Sequence, residues 1–244
     1  MFSEREVERY ARHLVLREVG GPGQQKLKAA RVLLIGAGGI GAPAALYLAA
    51  AGVGRLGLVD DDRVALSNLQ RQIIYEEADV GQAKAASAAR RLRALNSDIV
   101  VEPIPVRLTP SNARELVSGW HLVIDGSDSF ATRDVVGAAC VAEGVALVAA
   151  ALGRWEAQIV LLRARPCWRC YVSQPPADAE ACAAVGVIGA LAGVAGSMAA
   201  LLAVRTLTGA GEERAGELMI FDALGWRARS VQVGADPGCE VCGR

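Results

Sequence analysis

The sequence predicts an α/β protein built on a doubly wound, mostly parallel sheet, with an antiparallel C-terminal extension. Short apolar runs alternate with Ala-rich or amphipathic segments as far as residue 153, which is the pattern of repeated βα units whose sheet is covered on both faces. A glycine-rich turn follows the first apolar run, as in sheets of the Rossmann type. Beyond residue 153 the apolar runs have hairpin-like spacing, which favours antiparallel strands.

The elements follow from this alternation in chain order. Strands are predicted at residues 31–35, 55–60, 99–106, 121–125 and 146–150, and in the extension at 157–162, 218–221 and 227–233. Helices are predicted at residues 39–51, 81–95 and 131–143, with a short helix beginning near Ser111. The Pro-containing residues 165–181 are predicted to form a loop. Ser3 and Glu6 form the pattern of a capping box that opens an N-terminal helix.

The glycine-rich turn indicates a nucleotide site. Gly36, Gly38 and Gly41 allow a tight turn, a close approach of backbone to phosphate and close packing of helix on strand, with Gly39 between them. Asp60 ends the second strand about 20 residues further on, where an acidic side chain would bind a ribose hydroxyl. This pattern fits NAD and any other adenosine nucleotide, so the decision between them depends on residues elsewhere.

Cations beyond Asp60 favour a nucleoside triphosphate. Arg71 and Lys84 are candidates to neutralise charge that develops on phosphoryl oxygens, which a dehydrogenase does not need. Asn68 and Gln70 could hydrogen-bond the ribose or the phosphates. The alternative is that these are ordinary surface side chains. Their joint placement around one crevice favours a site.

Asp128 supplies a second acidic group in this region. It follows the predicted strand that ends at Asp125, and the carboxyl ends of such strands are where open α/β sheets bind ligands. A carboxylate there can hold Mg²⁺ that bridges phosphate oxygens. The alternative is that Asp128 caps the next helix.

Two Cys-x-x-C pairs predict a structural zinc site. Four thiolates suit tetrahedral Zn²⁺ and leave no open position for catalysis. The long interval between the pairs suits a clip that ties the end of the chain to a mid-chain loop. A redox motif or two unrelated pairs are the alternatives. The pairs are Cys167 with Cys170 and Cys239 with Cys242.

Residues 183–204 carry no charge and are long enough to span a bilayer. They are rich in Ala and Gly and lack aromatic anchors at their ends. The four-residue spacing of Gly189 and Gly193 could indicate close helix packing through these glycines. We therefore expect a buried core helix or a dimer-interface helix, and no membrane association.

Charge and length limit the partners, the location and the domain organisation that we expect for this protein. The chain has 244 residues, with 26 Lys and Arg against 26 Asp and Glu, so no general attraction to nucleic acid is expected. The charged N-terminus lacks the apolar core of a signal peptide, so a cytoplasmic location is expected. We predict a single domain over residues 1–244, with a helical arm (1–30), a nucleotide-binding core (31–153) and a zinc-clipped extension (154–244).

Several motifs together resemble one family. They are Arg9-Tyr10-Ala11-Arg12-His13, the glycine turn, Ser67-Asn68-Leu69-Gln70-Arg71-Gln72, Lys84, Asp128, both cysteine pairs and the Cys-Ala-Ala-Val-Gly-Val run at Cys182. In this order they resemble the adenylyltransferases of molybdopterin and thiamine biosynthesis (the MoeB/ThiF type), which are relatives of ubiquitin-activating enzymes. The resemblance extends over residues 5–243.

This resemblance implies a reaction. A small ubiquitin-like sulfur carrier ending in Gly-Gly presents its C-terminal carboxylate to ATP, giving an acyl-adenylate and pyrophosphate. Asp128 is implied to bind Mg²⁺, and Arg12 to reach into the partner's site as an arginine finger, which requires a homodimer. The implied nucleotide-binding residues are Gly36, Gly38, Gly39, Gly41, Asp60, Ser67, Asn68, Gln70, Arg71, Lys84, Asp128 and Ser129.

Three further expectations accompany the resemblance. Cys182 either forms a covalent link to the carrier, as in some relatives, or is a small buried thiol. Ser129 stands where the family usually has Asn, so a nucleotide contact there is expected to be weaker or water-mediated. The sequence ends at Arg244 with no appended sulfurtransferase domain, so we expect a separate protein to donate the sulfur.

Two other functions stay open at this point. An NAD-dependent oxidoreductase is supported by the glycines and Asp60 alone, and it has no use for Arg12, Arg71 and Lys84 together. A non-catalytic nucleotide-binding scaffold would explain Ser129 but need not keep these cations. Which carrier and which pathway are involved does not follow from the sequence.

Overall fold

The computed structural model describes residues 2–174 and 186–243. Within them, eight strands form one sheet in the order β3-β2-β1-β4-β5-β6-β7-β8, and the first five strands of this order are parallel. Neighbouring pairs from β5 to β8 are antiparallel. The strands are β1 (Arg31–Ile35), β2 (Arg55–Val59), β3 (Val100–Ile104), β4 (Leu122–Asp125), β5 (Ala146–Gly153), β6 (Glu156–Leu162), β7 (Glu217–Asp222) and β8 (Arg227–Gln232).

Helices cover both faces of this sheet. Alternate residues of β1 divide between the two resulting cores, because Val32 packs in the core that contains Ala195 and Leu33 in the core that contains Val136. The described helices are α1 (Glu4–Arg9), α2 (Ala11–Leu14), α3 (Gly20–Ala29), α4 (Gly41–Ala50), α5 (Lys84–Leu95), α6 (Ala113–Val117), α7 (Phe130–Glu143), α8 (Trp168–Tyr171) and α9 (Gly189–Thr208). The doubly wound fold class and its antiparallel extension are therefore confirmed.

The element bounds differ from the predictions in a few places. Helix α5 begins at Lys84 rather than at residue 81, because a 3₁₀ turn at Glu77–Asp79 and an extended Ala83 precede it. Strand β5 continues to Gly153, where it pairs with Glu156 of β6 in a tight hairpin. The predicted loop at residues 165–181 contains α8, which is too short for a periodic pattern to reveal.

Helix α9 is the apolar segment that invited a membrane interpretation. By length and composition it could cross a bilayer. It packs instead on α4 and on strands β5 and β6, and residues such as Ala195 and Ala199 are fully buried there. Gly189 and Gly196 make its close contacts, whereas a Cβ on Gly193 would meet open space. The packing supports the core-helix interpretation, and of the Gly189–Gly193 pair only Gly189 makes a close contact among the described residues.

The N-terminal capping box is present as predicted. The Ser3 hydroxyl accepts a hydrogen bond from the Glu6 amide (3.2 Å), and the Glu6 carboxylate accepts one from the Ser3 amide (2.8 Å). These reciprocal bonds satisfy two amides that the first turn of α1 would leave unpaired.

The sheet leaves one crevice where its connections reverse direction. Strands β1 and β4 are neighbours, while β2 and β3 continue to one side and β5 to the other. The loops that follow β1 and β4 therefore leave in opposite directions, and their carboxyl ends open a space between them.

Candidate functional site

A cavity of about 750 Å³ occupies this crevice. That volume lies in the range of small-molecule and cofactor sites. Nine of the twelve predicted nucleotide-binding residues line it, namely Gly36, Gly38, Gly39, Asp60, Gln70, Arg71, Lys84, Asp128 and Ser129. The other three, Gly41, Ser67 and Asn68, are not among its lining residues.

The glycine turn is held by packing and by two hydrogen bonds. A Cβ on Gly41 would stand 1.9 Å from the carbonyl oxygen of Gly36, so only glycine lets α4 begin against the turn. Gly36 itself has a φ of 86°, which favours glycine. The Ala37 amide donates to Asp60 (2.8 Å), and the buried Tyr75 hydroxyl donates to the Ala37 carbonyl (2.8 Å). The turn is thereby fixed on both sides of Ala37.

The Asp60 carboxylate connects two loops of the cavity. One oxygen accepts from the Ala37 amide and the other from the Asp62 amide (2.9 Å). Burial raises the pKa of Asp60, and these backbone hydrogen bonds and the nearby Lys84 charge oppose the rise. Asp60 thus orients the glycine turn and the loop after β2 in addition to facing the cavity.

Four cationic side chains line the same cavity: Arg133 beside the loop after β4, and Lys84, Arg71 and Arg107. Lys84 is buried at the start of α5, and its ammonium group pairs with the exposed Asp62 carboxylate (2.8 Å). The half-buried Arg71 donates to the Ser67 carbonyl (3.2 Å). Arg107, which the sequence analysis missed, lies beyond the end of β3. The signal that could have found it is an Arg just after a parallel strand.

The amide side chains near Arg71 have different roles in the structure. The Asn68 side-chain oxygen accepts from the Ala65 amide (3.2 Å) and so closes a 3₁₀ turn at Leu66–Asn68. Gln72 is buried, lines the cavity and has a side-chain oxygen with no hydrogen-bond partner among the described residues. Gln72 belongs to the family motif at residues 67–72, but no role in the site was predicted for it.

The loop after β4 presents Asp128 to the cavity. The Ser129 hydroxyl accepts from the Thr132 amide (3.4 Å) and caps α7, so the alternative that Asp128 caps this helix is wrong. Asp128 is exposed on the cavity wall. Behind it, the Asp125 carboxylate is fully buried and accepts from the Ser127 amide (2.9 Å). Burial raises the pKa of Asp125, an effect that the positive charge of Arg133 opposes.

The four predicted cysteines come together outside the cavity. Their sulfur atoms all lie within 4.8 Å of one another. The separations are 3.6 Å between Cys167 and Cys239, 3.4 Å between Cys170 and Cys242, and 4.0 Å between Cys167 and Cys170. Tetrahedral Zn²⁺ with bonds of about 2.3 Å places its sulfurs about 3.8 Å apart. This cysteine cluster therefore has the donors and the size to bind a metal ion such as zinc.

Two other predicted catalytic residues are Arg12 and Cys182. Arg12 is exposed on α2 and is not among the residues that line the cavity of its own chain. Cys182 lies outside the described residues.

Together the fold and this crevice define a doubly wound α/β protein with a ligand site at its switch point. Within that class, the ThiF family matches residues 10–241, and the chain belongs to this family.

The relatives extend over almost the whole chain. A sulfur carrier protein adenylyltransferase of Thermus thermophilus is 43% identical, covering 99% of this chain and 93% of its own length. The SAMP-activating enzyme E1 of Haloferax volcanii is 43% identical, with coverages of 98% and 89%. The bovine adenylyltransferase and sulfurtransferase MOCS3 is 46% identical, and this chain spans only 54% of its length.

Solved structures agree on the fold. Escherichia coli MccB with succinimide has a TM-score of 0.86 at 24% identity, covering 100% of this chain and 75% of that chain. PaaA has a TM-score of 0.83 at 23% identity, with coverages of 96% and 76%.

Proposed function

We propose that this protein is an adenylyltransferase that uses ATP to activate the C-terminal glycine carboxylate of a small ubiquitin-like sulfur carrier. The products are a carrier acyl-adenylate and pyrophosphate, and the activated carrier then takes up sulfur for cofactor biosynthesis or thiolation. The observation that carries the proposal is the convergence of Arg71, Lys84 and Asp128 on one cavity with the glycine turn. Relatives named for this activity match nearly the whole chain.

The nucleotide is assigned along the cavity from its contacts. Asp60 binds the ribose, because it directly follows β2 beside the turn that receives the phosphates. Gly36, Gly38 and Gly39 let the backbone approach those phosphates. Gly41 acts through packing, since it does not line the cavity.

The loop between β2 and α5 supplies the remaining nucleotide contacts. Arg71 and Lys84 bind the phosphates, and Lys84 exchanges its contact with exposed Asp62 for a phosphate oxygen. Gln70 contacts the nucleotide from the same loop. Asn68 and Ser67 shape this loop through the bonds to Ala65 and Arg71, and they reach the nucleotide only if the loop moves.

Catalysis by these residues is electrostatic. The α-phosphate gains negative charge as the carrier carboxylate attacks it and pyrophosphate leaves, and fixed cations stabilise that charge. Asp128 is free of the helix cap and exposed on the cavity wall, which suits it to hold Mg²⁺. Bound Mg²⁺ would neutralise phosphate charge. Ser129, whose hydroxyl caps α7, contributes at most a water-mediated nucleotide contact.

A homodimer completes the site in this proposal. Arg12 is exposed and away from its own cavity, so it acts in the partner's site as an arginine finger. The outward side of α9 supports association, because Leu201 is 62% exposed and Val194 is 39% exposed.

The remaining assignments concern metal, sulfur and location. The cysteine cluster binds Zn²⁺ in a closed, stabilising site. Cys182 is the candidate for a covalent link to the carrier. The carrier ends in Gly-Gly, a separate protein donates sulfur, and the enzyme works in the cytoplasm as a single domain.

ATP–pyrophosphate exchange with the purified protein tests this function against a panel of small Gly-Gly-terminated carriers. We expect exchange with one carrier and none with its variant that lacks the last two glycines. Asp128→Ala is the matched enzyme control, and it should fold and keep the zinc of the cysteine cluster. No exchange across the panel from a folded dimer would favour a scaffold, and measurable NAD binding would favour the oxidoreductase.

A further inference from the structure

The buried Arg133 guanidinium holds the backbone next to Asp128. Its Nε and Nη2 both donate to the Ser127 carbonyl, at 3.1 and 2.6 Å, and Nη2 also approaches the Ala150 carbonyl at 3.5 Å. Arg133 is 9% exposed and lies in the first turn of α7. Since Ser127 immediately precedes Asp128, this fork restrains the residue whose carboxylate faces the cavity.

The guanidinium is itself held between two aromatic rings. The Phe130 and Trp168 ring centres each lie 5.8 Å from it, a distance at which a cation and a ring attract. Phe130 belongs to the same turn of α7, whereas Trp168 belongs to α8. Arg133 therefore joins two elements in addition to holding Ser127.

Trp168 ties this arrangement to the cysteine cluster. It directly follows Cys167, is 2% exposed, and donates from its indole nitrogen to Asp134 (2.8 Å). A Cβ on Gly137 would stand 2.5 Å from the Trp168 Cβ, so α7 and α8 pack with no spare room. A continuous set of contacts thus runs from the cysteine cluster through Trp168 and Arg133 to Ser127.

We propose that Arg133 is a positioning residue that fixes the direction of the Asp128 carboxylate. Trp168, which the cysteine cluster holds in place, in turn restrains the Arg133 guanidinium. This inference rests on the proposed function in assigning Mg²⁺ to Asp128. Arg133 is part of the buried cavity wall, and in this role its guanidinium nitrogens stay on the Ser127 and Ala150 carbonyls and donate to neither nucleotide nor metal. Loss of its fork leaves Asp128 chemically intact but allows it to adopt several directions, which weakens the Mg²⁺ site and leaves ATP contacts elsewhere unchanged.

Arg133→Lys is the informative variant, because it keeps the charge but replaces a two-nitrogen fork by a single nitrogen. ATP binding is measured by calorimetry with and without Mg²⁺, together with the Mg²⁺ dependence of pyrophosphate exchange. The apparent Mg²⁺ affinity should fall roughly 10- to 100-fold, as for groups that orient a metal ligand. ATP affinity without Mg²⁺ should stay within about twofold of wild type.

Two more variants complete the design. Arg114→Lys is the matched control, since Arg114 lies on α6 in an exposed ion pair with Glu143 and should change neither measurement. Trp168→Phe keeps a ring but loses the hydrogen bond to Asp134. It should therefore lower the apparent Mg²⁺ affinity as Arg133→Lys does, but by a smaller factor. It also tests the proposal if Arg133→Lys does not fold.

The outcomes separate this proposal from the proposed function. Wild-type Mg²⁺ dependence in folded Arg133→Lys and Trp168→Phe overturns the positioning role. Equal loss of ATP affinity with and without Mg²⁺ also overturns it, because general damage to the fold would have that effect. Wild-type protein that binds ATP with Mg²⁺ but exchanges no pyrophosphate contradicts the proposed reaction alone.

Discussion

Two glycines of one turn should respond differently to the same substitution. A Cβ on Gly41 would stand 1.9 Å from the Gly36 carbonyl oxygen, whereas the nearest atom to a Cβ on Gly38 is the Gln72 amide nitrogen at 3.6 Å. Gly38 lines the cavity and Gly41 does not. Gly41→Ala is therefore expected to damage the fold, and Gly38→Ala to damage the site.

The magnitudes follow from these distances. In Gly41→Ala the methyl group and the Gly36 carbonyl must separate from 1.9 Å to the 3.4 Å of ordinary contact, and overpacking of this kind costs about 1–3 kcal/mol. In a chain of this size each kcal/mol lowers Tm by roughly 2–4 °C. Gly38→Ala should change the free energy of unfolding by less than about 0.5 kcal/mol. Its methyl group would displace the phosphates by about 1 Å from their productive position, and a displacement of that size can reduce turnover roughly 100-fold.

Calorimetric Tm and ATP–pyrophosphate exchange are measured on both variants. The reasoning is refuted if Gly41→Ala melts like wild type, or if Gly38→Ala exchanges pyrophosphate at the wild-type rate. A Gly38→Ala protein that loses as much stability as Gly41→Ala would also contradict it, because the two positions would then share a packing role.

Three further predictions concern the metal sites and the N-terminal arm. Asp128→Ala should abolish pyrophosphate exchange at unchanged Tm and unchanged zinc content of the cysteine cluster, and undiminished exchange would remove Asp128 from the mechanism. Cys239→Ser should release the metal and lower Tm, as elemental analysis and calorimetry would show, and full retention of metal would rule out a four-cysteine site. The hydrogen bond from Lys28 lowers the pKa of Glu6 from 4.5 to about 2, so its stabilising effect is complete above pH 4.5 and is lost as pH falls toward 2. Glu6→Gln should make Tm less dependent on pH in that interval, and an unchanged profile would show that the pair is dispensable.

Features that depend on a local pattern were predictable from the sequence. The glycine turn, Asp60 and the cysteine pairs each combine residue type with fixed spacing. The structure places the glycine turn and Asp60 directly after β1 and β2, and it brings the four cysteines together. The strand and helix order followed from apolar periodicity for the same reason. The family resemblance, carried by several motifs in one order, was confirmed by the ThiF match.

Features that depend on packing between distant segments were not predictable. The Arg133 guanidinium carbon lies 5.8 Å from the centre of the Trp168 ring, but the two residues belong to different helices and no spacing rule connects them. Arg107 has no motif around it. At Asp128 and Ser129 both side chains are suitable helix caps, and only the backbone geometry at Ser129 decides between them.

Helix α9 explains why an apolar, Gly-rich segment occurs in this protein. A Cβ on Gly189 would stand 2.1 Å from the Gln70 carbonyl oxygen, and one on Gly196 would stand 2.3 Å from that of Ile40. One helix thus sets the distance between the loop that carries Arg71 and the glycine turn. Any side chain larger than hydrogen at either glycine would push these two walls apart. The glycines of α9 are therefore explained by how close these two walls lie, and its buried Ala and Leu side chains by the core beneath them.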